Sequence, residues 1–208
     1  MLRIVRCTTD RHRASEIDAF FARQVARLRG LSGNVDGFVG RAETDDGVAY
    51  ALVTAWAGFD AMQTAIGPDL VHAPLLEPVA ERLRDITVEH LERMDLPPRG
   101  SGGDATVLRI YGGPIPHRQA EAFYQLTRER AWDEVGRAQG LVAAHVGRRM
   151  AADVDHVALV TAWRTWDDLV RAFPNAVERT LVPPDDEQLV KSMQIEHLRI
   201  VHPEAAGG

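Results

Sequence analysis

Six residues of the chain recur at an almost constant distance along the sequence, and their types could do chemistry. Imidazole titrates near neutral pH and serves as a general acid or base, and a guanidinium group holds anions. The recurring pairs, 106 or 107 residues apart, are Arg3 with Arg109, Arg41 with Arg148, Thr54 with Thr161, Trp56 with Trp163, Glu89 with Glu196, and His90 with His197. The candidate catalytic residues are therefore His90, His197, Arg3 and Arg109, and the candidate substrate-binding residues are Trp56, Trp163, Thr54 and Thr161.

A residue that is present in both copies can also serve packing alone. Large aromatic side chains dominate cores, so a structural role competes with substrate binding for Trp56 and Trp163. The duplicated arginines are expected either to form cross-strand ion pairs with Glu89 and Glu196 or, where one lies in the interior, to hold an anionic or carbonyl-bearing ligand. Side chains alternate along a strand, so His90 faces away from Glu89, whereas Thr54 and Trp56 share a face.

Other kinds of site find little support in the sequence. Cys7 is the one cysteine, which excludes intrachain disulfides and sites with several thiolate ligands. The spacing of the histidines does not predict a metal site, and the segment from Tyr111 to Pro114, "YGGP", is predicted to be a turn rather than a phosphate loop. Four further histidines, assigned to loops or strand edges, are expected to be solvated: His12, His117, His145 and His156.

An internal repeat organises the chain. The sequence "ALVTAW" at Ala51–Trp56 returns unchanged at Ala158–Trp163, and "VGR", "EHL" and "LRI" recur in the same order at nearly the same offset. These matches predict a duplicated domain of about one hundred residues. The segment "LPPRGSGGDA" is typical of a linker, so we expect domains at residues 1–95 and 106–203 with the linker at 96–105.

Each half shows the same order of predicted elements. The first helix, Ala14–Leu28, has apolar residues at helical spacing and Ser15 with Asp18 as a capping pair, and "TDDG" predicts a hairpin turn. The longer helix of the second half is expected over His117–Ala138, with a capping box at Thr165–Asp168. The predicted strands are Leu2–Thr8, Val35–Glu43, Val48–Trp56, Ile86–Met94, Thr106–Tyr111, Val142–Arg149, His156–Trp163 and Met193–His202.

The order β-α-β-β-α-β, present twice, predicts an α+β protein built from two ferredoxin-like repeats. Such a sheet carries helices on one face, and its other face must be covered. Two sheets in one chain can cover each other, so we expect the two repeats to pack as a pseudo-dimeric α+β barrel.

Composition excludes several classes of protein. The chain has 208 residues, 45% apolar and 26% charged, which is typical of a globular protein rather than a disordered one. The net charge of −6 disfavours nucleic acid as a partner, and the sequence predicts no signal peptide or membrane segment. We expect a cytoplasmic protein whose partner is a small molecule.

The segments "GFVGRAE", "ALVTAW" with "DAM" behind it, and "TVEHLE" resemble the antibiotic biosynthesis monooxygenase-like family of the dimeric α+β barrel superfamily. The resemblance covers both halves and implies a covalently fused pair of domains that are elsewhere separate chains. It implies a cofactor-independent monooxygenase acting on a small aromatic or polyketide-like molecule. A homodimer of the tandem chain is a further expectation.

The same resemblance leaves alternatives open. The heme-degrading branch of the family places a histidine ligand on the second helical segment, where this chain has His72. That branch also uses an asparagine on the first strand and a tryptophan on the second helix, and neither half has the full set. The alternatives to an enzyme are a protein that binds heme or another small ligand without catalysis, and an interaction module with a filled interior.

Overall fold

The computed structural model describes residues 1–69, 74–173 and 193–202. The chain alternates between strands and helices in both halves. The strands are β1 (Leu2–Thr9), β2 (Asn34–Thr44), β3 (Gly47–Trp56), β4 (Arg84–Arg93), β5 (Val107–Pro116), β6 (Leu141–Arg149), β7 (Val154–Trp163) and β8 (Gln194–Ile200). The α-helices are α1 (Ala14–Arg29), α2 (Phe59–Ile66), α3 (His117–Leu126), α4 (Trp132–Arg137) and α5 (Trp166–Ala172). A π-helical turn, Thr127–Ala131, joins α3 to α4, and 3₁₀ segments cover Arg11–Arg13 and Pro74–Arg82.

The residues divide into two compact units. Unit 1 contains Met1–His90 and the segment that begins at Leu198, and unit 2 contains Leu91–His197. Both boundaries lie inside strands, one in β4 and one in β8. The domain boundaries expected from the repeat remain a prediction.

In unit 1 the hydrogen-bonded strand order is β4-β1-β3-β2-β8. Strand β3 pairs antiparallel with both β1 and β2, and the end of β8 adds to β2 through Gly40 opposite Ile200. The predicted hairpin between β2 and β3 is confirmed, with the turn at residues 45–46. The apolar stripe of α1 is also confirmed, because Ile17, Phe20 and Phe21 are buried against the sheet.

In unit 2 the order is β8-β5-β7-β6-β4. Strand β7 lies antiparallel between β5 and β6, and the end of β4 adds to β6 through Glu92 opposite Arg148. The strand order is closed and the architecture is α+β.

Two sequence expectations in unit 2 were wrong. Gly112, Gly113 and Pro114 do not form a turn but continue β5, pairing with Ala158, Val157 and His156 of β7. Gly112 fits there because a Cβ atom would come within 2.4 Å of the carbonyl oxygen of Val157. The long helix predicted over His117–Ala138 is interrupted by the π turn, which adds a residue to the turn and rotates the following residues around the axis.

That rotation changes which residue of the helix faces the core. Trp132, absent from the predicted apolar face, is buried, and its indole Nε1 donates a hydrogen bond of 2.8 Å to the carbonyl oxygen of Pro97. The predicted cap at the start of α5 is present, since the Thr165 hydroxyl accepts a hydrogen bond from the backbone N–H of Asp168.

Candidate functional site

Arg3 and His90 meet within unit 1. Arg3 lies near the start of β1 with 1% of its surface exposed, and His90 lies on the neighbouring strand β4. The Nε of Arg3 donates a hydrogen bond to Nε2 of His90 across 3.2 Å. Because a guanidinium nitrogen can only donate, Nε2 of His90 accepts and carries no proton.

Thr54 and Trp56 complete the buried cluster around Arg3. Thr54 is the register partner of Arg3 on β3, so the two side chains lie on one face of the sheet. The indole Nε1 of Trp56 donates a hydrogen bond of 2.9 Å to the Thr54 hydroxyl, which confirms that these two residues share a face. Trp56 belongs to the core cluster that the helices cover, together with Met62 of α2. We call Arg3, Thr54, Trp56 and His90 the Arg3 site.

Burial controls the ionisation of this pair. It lowers the pKa of Arg3 to about 10, so that the guanidinium stays charged at neutral pH. Burial, and then the charge of Arg3, hold the pKa of His90 below its ordinary value. Among the described residues no carboxylate forms an ion pair with Arg3, and its Nη2 is buried without a hydrogen-bond partner. The site therefore combines a desolvated positive charge with an unused donor.

The prediction of an ion pair between Arg3 and Glu89 was wrong. Glu89 instead lies 3.4 Å from Arg6. Side chains alternate along each strand, so Arg3 meets His90, whereas Arg6 and Glu89 point to the opposite face. Arg41 likewise forms ion pairs with carboxylates other than that of Glu89: it lies 2.6 Å from Asp18 and also pairs with Glu43.

The corresponding residues of unit 2 have partly different neighbours. Arg109 is fully buried on β5 opposite Thr161, and Trp163 donates to the Thr161 hydroxyl across 2.9 Å, as in unit 1. The guanidinium of Arg109, however, lies 5.5 Å from the ring centre of Tyr111 and 5.2 Å from that of Phe173.

The two histidines also differ in their neighbours. The ring of His197 packs edge-on against Trp166, with 5.1 Å between the ring centres. Both units therefore share the hydrogen bond from Trp to Thr, and the contacts described for Arg109 and His197 are with aromatic rings. The predicted ion pair of Arg109 with Glu196 remains a prediction.

Sequence reasoning missed a polar network in unit 2. Asp155 of β7 is buried, accepts a hydrogen bond of 2.8 Å from the Tyr124 hydroxyl, and lies 2.9 Å from Nδ1 of His117. Burial alone would raise the pKa of Asp155, but the hydrogen bonds from His117 and Tyr124 outweigh it and lower that pKa. The period of two was the available signal, because it places Asp155 on the face of Val157 and Leu159.

Two further expectations were wrong. His145 was predicted to be solvated but is buried on β6. Asp18 does not cap α1 with Ser15, since its carboxylate accepts from Arg41 and from the hydroxyl of Tyr50. Cys7 is buried, and burial raises the pKa of its thiol to about 12, so that the thiolate needed by a nucleophile is disfavoured.

His72 lies outside the described residues. Within the described ranges, no group of three or more His, Cys, Asp or Glu side chains is placed to hold a metal ion. No helix in those ranges is both long enough and apolar enough to cross a membrane.

A cavity of about 540 Å³ in unit 1 lies away from the Arg3 site. It separates α1 from the end of β8 and includes Asp18, Arg23, Arg199 and His202. The cationic side chains there are exposed, and Asp18 already accepts from Arg41. The cavity contains no residue singled out by the sequence repeat.

The chain is similar to several solved structures. A candidate monooxygenase from Fusobacterium nucleatum has a TM-score of 0.72 and 10% identity, covering 100% of this chain and 94% of its own. A candidate monooxygenase from Lactobacillus acidophilus has a TM-score of 0.70 and 14% identity, covering 97% and 95%. An anthrone oxidase-like protein has a TM-score of 0.57 and 14% identity, covering 100% and 96%.

No family model matches the chain, and no curated protein matches it by sequence. At these identities the solved structures show the fold alone. The chain has an α+β fold with a closed order of eight strands, and it shares that fold with proteins named as candidate monooxygenases.

Proposed function

We propose that the chain is a cofactor-independent, monooxygenase-like enzyme that binds a small aromatic molecule as its anion at the Arg3 site. The observation that carries this proposal is the buried guanidinium of Arg3. It has no carboxylate partner among the described residues, and its Nη2 is an unused donor. A phenolate or an enolate oxygen of the ligand supplies both the missing charge and the missing acceptor.

The energetics favour such a ligand over an empty site. A buried charge is costly unless it is paired and hydrogen-bonded. A hydrogen bond between a guanidinium and an anionic oxygen is roughly twice as strong as one between neutral groups. Arg3 stays charged at neutral pH, so it can stabilise the ligand as an anion rather than as the neutral acid.

His90 acts in this proposal as a positioning residue for Arg3. Its Nε2 accepts from Nε of Arg3, which fixes one edge of the guanidinium and leaves Nη2 to point elsewhere. The lowered pKa keeps the imidazole neutral, and a second positive charge beside Arg3 is avoided. For His90 to take a proton at Nε2 from the substrate, this hydrogen bond would first have to break.

The reaction class follows from the bound anion. An aromatic ketone whose ring methylene lies across the ring from the carbonyl loses a methylene proton to solvent water and forms an electron-rich enolate, which dioxygen can oxidise. One oxygen atom becomes a new carbonyl oxygen at the methylene carbon, and the other leaves as water with the two methylene hydrogens. The balance requires no external reductant, and the anthrone oxidase-like neighbour supports this class of substrate.

The finer organisation belongs to the same proposal. We propose two ferredoxin-like repeats of the antibiotic biosynthesis monooxygenase-like type, residues 1–95 and 106–203, that pack as a pseudo-dimeric α+β barrel. The duplicated contact of Trp56 with Thr54 and of Trp163 with Thr161 supports the repeat. A cytoplasmic location and a homodimer of the tandem chain stay predictions.

Oxygen uptake with 1,8-dihydroxyanthrone tests the proposal. We expect the natural chain to consume oxygen faster than the uncatalysed reaction, with formation of the anthraquinone. Losing one charge-assisted hydrogen bond costs about 1.5–3 kcal/mol, so Arg3→Met should lower kcat/KM by about tenfold to a hundredfold. Arg23→Met, on the exposed side of α1, is the matched control.

Circular dichroism of both variants establishes that they are folded. An Arg3→Met chain that is folded and as active as the natural chain would contradict the proposed site. Oxygen uptake no faster than in buffer would contradict the proposed activity.

Heme binding through His72 is the alternative from the sequence. The described residues of the Arg3 site do not fit an axial ligand, since Nε2 of His90 accepts from Arg3. Titration with hemin distinguishes the two ideas. A Soret shift that disappears in His72→Ala would favour the heme alternative, and the absence of a shift would exclude it.

A further inference from the structure

We propose that a cavity of unit 2, between α3 and the end of β4, binds a small α-amino acid whose carboxylate is held by Arg148 and Arg128. An amino acid carries one charge of each sign, and residues of both signs line this cavity. The cavity shares no residue with the Arg3 site, which belongs to unit 1, so the two sites can be tested separately.

The cavity is small and its charges balance. Its volume of about 230 Å³ lies below the roughly 300–1,000 Å³ of pockets for drug-sized ligands. Tyr124 and Met94, both buried, add an apolar surface to it. The charged residues that line it are Arg93, Arg128, Arg148, Glu92, Asp95 and Glu121. A ligand with a charge of each sign therefore complements the cavity better than an ion of a single sign.

Arg148 lacks the two carboxylates that neutralise its counterpart Arg41 in unit 1. Arg41 forms ion pairs with Asp18 and with Glu43. At the offsets of the repeat, 106 for the helix and 107 for the strand, the corresponding residues of unit 2 are a tyrosine and a methionine. The ion pairs of Arg41 therefore have no counterpart in unit 2.

Tyr124 and Met150 occupy these two positions and offer Arg148 no charge. The guanidinium of Arg148 lies 5.1 Å from the ring centre of Tyr124, a cation–π contact that orients it. Asp155 attracts Arg148 electrostatically. Its carboxylate, however, already accepts from Tyr124 and lies 2.9 Å from His117. Within the described part of the chain Arg148 forms no ion pair, so a ligand carboxylate can supply one.

The π turn coincides with the one extra residue of unit 2. The offset is 106 for the buried pair Ala14 and Ala120, and it is 107 for the buried pair Leu28 and Val135. A π turn takes up one additional residue in a helix, and such turns are frequent at functional sites. Unit 2 therefore departs from unit 1 beside the cavity.

The same turn holds the walls of the cavity in place. It contains Arg128, and Trp132 follows it directly. The indole of Trp132 donates a hydrogen bond of 2.8 Å to the carbonyl oxygen of Pro97, just beyond the end of β4. The backbone N–H of Met94 donates to the carbonyl oxygen of Val146 on β6 across 2.9 Å. The cavity is thus formed before a ligand arrives, which lowers the cost of binding.

Glu121 and Glu92 provide acceptors for the ammonium group of the ligand. The carboxylate of Glu121 accepts a hydrogen bond of 3.1 Å from the amide of Gln125. Glu92 lies opposite Arg148 in the strand register. Neither glutamate forms an ion pair with another described residue. An amino acid that presents its carboxylate to Arg148 and its ammonium group to Glu92 neutralises both side chains.

These groups define the class of ligand. The planar guanidinium matches a carboxylate, with which it can form two parallel hydrogen bonds. The three acidic residues of the cavity repel a phosphate, and the three arginines repel a polyamine. A small apolar side chain on the amino acid packs against Tyr124 and Met94.

Isothermal titration calorimetry of the natural chain with L-alanine tests this proposal. Propionate lacks the ammonium group and ethylamine lacks the carboxylate, so each probe satisfies one half of the site. We expect L-alanine to bind at least about tenfold more tightly than either of them.

Arg148→Met removes the charge but keeps a long side chain beside Tyr124. We expect the affinity for L-alanine to fall by about tenfold to a hundredfold. Arg149→Met is the matched control, because Arg149 is exposed and the alternation of β6 directs it to the opposite face. Its affinity should equal that of the natural chain.

Met150→Glu restores a carboxylate at the position of Glu43 without removing an arginine. Met150 is 61% exposed, so the change leaves the core intact. We expect binding of L-alanine to weaken by about twofold to fivefold, as for competition with a surface ion pair, whereas the uncharged Met150→Gln should bind like the natural chain. This pair of variants is an independent test in case Arg148→Met does not fold.

Four results would each overturn the proposal. They are no binding of L-alanine to the natural chain, equal binding of L-alanine and propionate, equal losses of affinity in Arg148→Met and Arg149→Met, and equal affinities of Met150→Glu and Met150→Gln. Oxygen uptake at the Arg3 site is measured separately, so none of these results bears on the proposed function.

Discussion

Arg3 and His90, on neighbouring strands of unit 1, form a hydrogen bond that requires the imidazole to be neutral. Nε of Arg3 lies 3.2 Å from Nε2 of His90, and protonation of Nε2 would replace an acceptor by a second cation. The contact therefore links folding to the protonation of a single histidine.

Stability should fall on acidification because of this contact. The folded protein binds the His90 proton less readily than the unfolded chain, since the pKa of His90 is lowered by burial and by Arg3. The free energy of unfolding should decrease as the pH falls below the ordinary histidine pKa of about 6.5. His90→Gln keeps an acceptor but does not titrate, so urea unfolding of this variant should depend less on pH.

His202→Gln is the matched control, because His202 is exposed and lies outside this contact. Equal pH dependence in the natural chain and in His90→Gln would show that the Arg3–His90 contact does not titrate.

The hydrogen bond from the indole of Trp56 to the hydroxyl of Thr54 should contribute measurably to the free energy of unfolding. Thr54→Val leaves the buried indole N–H without an acceptor, so we expect a loss of about 1–3 kcal/mol in the free energy of unfolding. In the double variant that adds Trp56→Phe, which removes the donor, the total loss of stability should be smaller than the sum of the two single losses. Chemical denaturation of the four proteins gives the coupling energy, and strict additivity would argue against the hydrogen bond.

The carboxylate of Asp155 should be a large contributor to the stability of unit 2. It accepts from Tyr124 and pairs with His117, and hydrogen bonds to a charged group contribute about 1.5–3 kcal/mol each. Asp155→Ala should therefore be strongly destabilised, whereas Asp153→Ala, at an exposed position two residues earlier, should resemble the natural chain.

The pH effect at Asp155 has the same sign as that at His90 but lies at lower pH. The pKa of Asp155 is lowered on folding, so its contribution is present above the ordinary aspartate pKa and is lost as the pH falls through the folded value. Thermal unfolding near pH 4 and below should show this loss in the natural chain and not in Asp155→Ala.

The strand that replaces the expected turn gives a steric prediction. A methyl group at Gly112 would lie 2.4 Å from the carbonyl oxygen of Val157, whereas a methyl group at Gly58 would meet nothing within 4 Å. Gly112→Ala should be destabilised by about 1–3 kcal/mol, as in other overpacked sites, and Gly58→Ala should not. Equal melting temperatures for the two variants would contradict the placement of Gly112 in β5.

Periodicity was sufficient to predict most of the elements in unit 1. The spacing of Ile17, Phe20 and Phe21 depends on the helix alone, and the alternation of Thr54 and Trp56 depends on the strand alone. Local patterns of this kind carry over from sequence to structure because neighbouring residues determine them.

The errors arose where distant residues decide the outcome. Gly112 continues a strand because β7 lies beside it, and the π turn before Trp132 rotates a helix face that a regular period would have kept outward. The partner of Arg3 could not be predicted either. Whether Arg3 meets Glu89 or His90 depends on the register between β1 and β4, and no local sequence pattern determines that register.

Nuclear magnetic resonance of the arginine Nε–H groups tests the central claim most directly. The Arg3 signal is assigned by its disappearance in Arg3→Lys, and 1-hydroxyanthraquinone is then added to the natural chain. We expect the Arg3 Nε–H resonance to shift in proportion to bound probe, while that of Arg23, on the exposed side of α1, stays in place. An Arg3 resonance that does not move when the probe is bound would contradict the account.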